Sequence, residues 1–105
     1  MSRLRRYEIL LPRRFNDGQS VPDSLISETL RELEVRFEAV SWETQIIQGT
    51  WQHQGQRFQD ELFRVFVDVP DLPEHREFFR DYKGILKTRF RQLDVWIATY
   101  PLDII

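Results

Sequence analysis

The feature that most constrains this chain is a twelve-residue alternation from Phe58 to Val69, stopped by Pro70. On an extended strand, Phe63, Val65, Val67 and Val69 share one face, whereas Phe58, Leu62, Arg64, Phe66 and Asp68 share the other. The preceding run, Ala39 to His53, is rich in Val, Trp, Thr and Ile, and Gln54-Gly55 between the two runs reads as a tight hairpin turn. A two-residue turn sets His53 opposite Gln56 and carries the register back along both strands. It predicts Ile46 opposite Phe63, Thr44 opposite Val65, Trp42 opposite Val67 and Val40 opposite Val69, so that one face of the hairpin is nearly all apolar. On the other face, Gln45 is expected opposite Arg64 and Glu43 opposite Phe66.

The flanking segments add two helices and two strands. Arg5 to Leu11 reads as a strand closed by Pro12, with Tyr7, Ile9 and Leu11 on one face. A turn-rich stretch, Arg13 to Ser20, contains Asn16-Asp17-Gly18 and leads to a helix starting at Pro22, in which Ile26, Leu30, Leu33 and Phe37 recur at helical spacing. Asp71-Leu72-Pro73-Glu74 reads as a capping box ahead of a second helix carrying Phe79, Tyr82, Leu86 and Phe90, with Gly84 as its weak point. Asp94 to Tyr100 is the last strand, expected to end at Pro101. Strand, helix, strand, strand, helix, strand predicts an α+β fold of one domain, residues 1–105. With right-handed crossovers it is a ferredoxin-like plait, a four-stranded antiparallel sheet in the order 4-1-3-2 with both helices on one face.

A chain of 105 residues, 41% hydrophobic and 30% charged, has the size and composition of a single globular core. The formal net charge of −2 offers no long-range attraction to nucleic acid or to an anionic membrane, so neither is an expected partner. Charge is nonetheless uneven: Arg3, Arg5, Arg6, Arg13 and Arg14 against Glu8 give the first fourteen residues a net +4, against −6 for the rest. The absence of cysteine excludes disulfides, thiolate nucleophiles and cysteine-held metals. No apolar stretch reaches the ~20 residues of a membrane span, and a cytoplasmic location is expected.

The chemically suggestive residues lie on the sheet face that the helices leave open. Leu10, Ile47, Trp51, Phe58, Leu62, Phe66, Trp96 and Tyr100 make that face more apolar than water-facing sheets usually are. A second copy of the chain, or a small apolar or anionic ligand, is therefore expected to cover it. Within it, Arg64 is placed to meet Glu8 and Glu43 among aromatic walls, an arrangement suited to holding an anionic group or orienting a proton transfer. The candidate interface or ligand site is thus Glu8, Glu43, Trp51, Phe58, Arg64, Phe66, Trp96 and Tyr100. No nucleophile elbow, phosphate loop or RNA-recognition signature is present. His53 and His75 fall far apart, so neither a metal nor a cofactor is expected.

Arg6-Tyr7-Glu8-Ile9-Leu10-Leu11-Pro12, Asn16-Asp17-Gly18, Gly49-Thr50-Trp51, Asp68-Val69-Pro70 and Arg89-Phe90-Arg91-Gln92-Leu93 together resemble a group of small uncharacterised bacterial proteins. The resemblance implies a bacterial origin and brings no activity with it. The leading expectation is a non-enzymatic module that forms a homodimer or binds a partner through its open sheet face. The rival is a small-molecule binder or an enzyme of the dimeric α+β barrel type, with its pocket on the same face.

Overall fold

The computed structural model describes residues 3–105 as two helices and an antiparallel sheet of five strands. In chain order the elements are β1 (Leu4–Pro12), α1 (Asp23–Phe37), β2 (Ser41–Trp42), β3 (Ile47–His53), β4 (Gln56–Pro70), α2 (Pro73–Arg89) and β5 (Trp96–Leu102). The fifteen-residue β4 is the spine. Its C-terminal part pairs with β1, which pairs in turn with β5, while β2 and β3 share its other edge. The sheet therefore has five strands where four were expected, because the predicted second strand is broken in two.

The break corrects the predicted register. Gln54 and Gly55 both adopt positive φ, 51° and 77°, which suits a tight hairpin turn, and His53 stands opposite Gln56. From there the expected pairing holds as far as Ile47 opposite Leu62. Residues 43–46 then span only Phe63 and Arg64, so two extra residues loop out as a bulge. Pairing resumes with Trp42 opposite Val65 and Ser41 opposite Phe66, two positions from the prediction, and Glu43 donates its backbone N–H to Arg64 O at 3.0 Å. An offset of two preserves which face each side chain takes and exchanges one apolar partner for another, so apolar matching does not resist it.

Two further corrections concern strand and helix ends. The N-cap of α2 is Leu72, with no side-chain cap, since Asp71 instead accepts a hydrogen bond from Arg5 Nε at 2.9 Å. β5 runs through Pro101 to Leu102. It is an edge strand, where a missing N–H breaks no ladder bond on the outer side.

The core lies between the sheet and the helices. Tyr7, Ile9, Leu11, Phe63, Val65, Val67, Val69 and Val95 are buried as expected, while Ile97 is half-buried. α2 contributes Phe79, Tyr82 and Leu86, followed by Phe90, and Tyr7 stacks on Phe79 with ring centroids 4.2 Å apart. On α1 only Leu33 and Thr29 are fully covered. Phe15 and Val21 are also buried: the loop between β1 and α1 turns back on itself through Gly18, at φ 88°, and an Arg14 to Ser20 bridge. Between the helices, Arg89 donates to both carboxylate oxygens of Glu32, at 2.7 and 2.9 Å, and to Thr29 Oγ1 at 2.9 Å. Tyr82 Oη donates to the same carboxylate at 2.7 Å. The hydrogen bonds from Arg89 first, and from Tyr82 second, hold Glu32 below the usual carboxylate range. Burial, reinforced by Glu32, pushes the Tyr82 phenol up.

Candidate functional site

Even-numbered residues of β4 and the residues paired with them form the open face. At its centre, Arg64 stands opposite Leu10 on β1, and its guanidinium reaches both Glu8 on β1 and Glu43 in the bulge. Nη2 donates to Glu43 Oε1, and Nη1 to Glu8 Oε1 at 3.4 Å. Tyr100 on β5 donates its hydroxyl to the same Glu8 oxygen at 2.6 Å. Bonding to Glu43 first, then the nearby charges of Glu43 and Glu8, raise Arg64 above the ordinary arginine value. Arg64 Nε is buried and has no hydrogen-bond partner. The expected cluster is therefore assembled, but by the bulge, which brings Glu43 beside Arg64 rather than opposite Phe66.

One guanidinium between two carboxylates leaves this cluster a net charge of −1, and both Arg64 Nη atoms are already engaged. The carboxylates thus already balance the charge an incoming anion would meet, while Nε keeps its N–H unused. Phe66 is half-buried because Arg6 lies over its ring, 4.3 Å from the centroid, while clamping Asp68 through two hydrogen bonds of 2.7 and 3.0 Å. Leu10, Ile47, Trp51, Phe58 and Leu62 are likewise half-buried, leaving Trp96 at 64% and Tyr100 at 38% as the exposed large side chains of the eight.

The remaining candidates form a second group. Trp51 on β3 stacks on Phe58 across the hairpin, with centroids 4.4 Å apart and planes within 16°. Its indole N–H donates to Asp60 Oδ2 at 2.6 Å. This hairpin arm and the start of β5 enclose a groove of about 430 Å³. Leu10 and Leu62 contribute apolar lining, Trp51 and Trp96 lie in its walls, and Asp60 and Asp94 supply carboxylates. Asp60 and Asp94 were missed from sequence. Asp60 shares the parity of Phe58 and Leu62, but nothing local indicated that the residues before β5 line the same groove as the arm. Of the two histidines, His53 is on the arm and His75 packs edge-on against Phe37, 5.4 Å away, on the helix side.

No protein-family model and no curated protein matches this chain. Among solved structures, a phage SAM lyase in complex with S-methyl-5'-thioadenosine superimposes with a TM-score of 0.66 at 14% identity, over 96% of this chain and 90% of that one. A Bacillus cereus protein related to NIF3 gives a TM-score of 0.61 at 16% identity over 98% of this chain. This chain spans only 26% of that protein's length. At these identities the likeness is one of fold. Among the described residues, no helix is long and apolar enough to cross a membrane.

Proposed function

We propose that this chain is a ferredoxin-like module that self-associates through its open sheet face. The observation that carries the proposal is Trp96, 64% exposed beside Tyr100 on a sheet face with no helix over it. The shape supports it. The accessible surface is 7365 Å², against roughly 6,300 Å² for a compact monomer of 12.8 kDa. The radius of gyration is 14.4 Å, against about 13 Å for a compact domain of this length. Extra surface of this order, partly aromatic, is what an assembly covers.

Sedimentation velocity across the micromolar range is expected to show a concentration-dependent oligomer, and Trp96→Glu is expected to return the monomer with an unchanged circular dichroism spectrum. A monomer throughout for the unmodified chain would sink the proposal, as would an oligomer indifferent to Trp96→Glu.

The groove favours a second reading, that of a small-molecule binder. Its volume of about 430 Å³ lies within the range of ligand pockets. The phage lyase, on a similar fold, holds a compact nucleoside thioether. A raised melting temperature with S-methyl-5'-thioadenosine, abolished by Trp51→Leu, is the result this reading expects.

A further inference from the structure

From the composition of the groove walls we infer a preference in charge: it takes small organic cations of the quaternary ammonium or sulfonium type. The inference rests on reading the groove as a ligand site. All of its lining comes from one chain, so a single copy completes the site, and because Trp96 lies in both the groove and the proposed contact face, a ligand and a second copy compete for it.

Two of the chain's three tryptophans, Trp51 and Trp96, line this one groove. Indole faces carry negative quadrupole density and attract a desolvated cation, most strongly one whose charge is spread over methyl groups and cannot hydrogen-bond. Trp51 cannot turn freely, because Phe58 stacks on one side and Asp60 holds its N–H. That bond uses Asp60 Oδ2 and leaves Oδ1 of the same carboxylate available to a bound charge.

The lining holds two carboxylates, Asp60 and Asp94, and no Lys or Arg. Asp94 Oδ1 is paired with Lys83 Nζ at 3.1 Å, whereas no cationic partner is found for Asp60 among the described residues. Farther along the same face, the Glu8, Glu43 and Arg64 cluster adds a further net negative charge. An anion entering here meets carboxylates, and a neutral ligand forgoes the charge term. The lining is complementary to a cation with an apolar surface.

Choline and its neutral carbon isostere 3,3-dimethylbutan-1-ol separate charge from shape. In a Trp42→Phe background, which removes the exposed tryptophan at the sheet edge, choline is expected to quench the remaining indole fluorescence saturably and to bind roughly tenfold or more tightly than the isostere. Asp60→Asn keeps an acceptor for the Trp51 N–H while removing the charge, and is expected to bring the two affinities together. Trp51→Leu is expected to abolish both. Equal affinity for choline and the isostere in the parent protein overturns the charge preference and leaves the binder reading standing. Saturable binding of neither overturns the charge preference, and the melting temperature with S-methyl-5'-thioadenosine then decides the binder reading by itself. Should Trp51→Leu fail to fold, the comparison of choline with its isostere across Asp60→Asn still decides.

Discussion

The two sides of the sheet each carry an arginine bridging carboxylates, and the two bridges are built differently. On the helix side, Arg89 is 11% exposed and donates to Glu32 through two hydrogen bonds and to Thr29 through a third, while Tyr82 completes the same carboxylate. On the open side, Arg64 is 35% exposed, reaches Glu8 only at 3.4 Å, and leaves Nε unpaired. The first is a closed network joining α1 to α2, with its acid drawn down in pKa. The second links β1, β4 and the bulge before β3 on a face that water still reaches. Partial burial makes the loss of one partner costly, whereas solvent replaces much of what an exposed pair contributes. Structural work is thus concentrated under the helices, and the open face is left with groups whose contacts are incomplete.

Removing each arginine is the strongest test of that contrast. Arg89→Ala leaves Glu32 and Thr29 without their donor, and is expected to cost about 2 kcal/mol in urea unfolding. A loss as small as that of a surface substitution would remove the distinction between the two sides.

Acid gives a second, smaller effect. Glu32 has a folded pKa below its unfolded one, so its contribution is fully present above the ordinary glutamate value of about 4.3 and fades as the pH falls through the lower folded value. Stability is therefore expected to drop on acidification over this interval, and Glu32→Gln to flatten that part of the profile while lowering stability at neutral pH. Parallel profiles for the two proteins would place the acid sensitivity elsewhere.

The smallest change is expected on the open side. Arg64→Gln removes a charge that is 35% exposed together with an unpartnered Nε, and Glu8 keeps Tyr100 as a donor, so stability should move by no more than about 1 kcal/mol by the same urea measurement. A loss matching that of Arg89→Ala would mean that the open face contributes to holding the fold together as strongly as the covered one.

The sequence by itself determined the alternation of elements, the hairpin turn at Gln54-Gly55 and the face on which nearly every strand residue lies. These follow from periodicity and local turn chemistry, which are written into neighbouring residues. The grouping of Glu8, Arg64 and Glu43 was legible for the same reason, since parity survives an offset of two. Only the tertiary structure decided the break at residues 43–46, because Val65 accepts Trp42 as readily as Val67 does and pairing energy does not discriminate. It also decided that Asp71 binds Arg5 instead of capping α2, a competition between a local partner and one 66 positions away. The groove belongs to this second class. Asp60 and Asp94 are 34 residues apart and line one groove only because the sheet sets β4 and the start of β5 on either side of β1, an order that no local pattern contains.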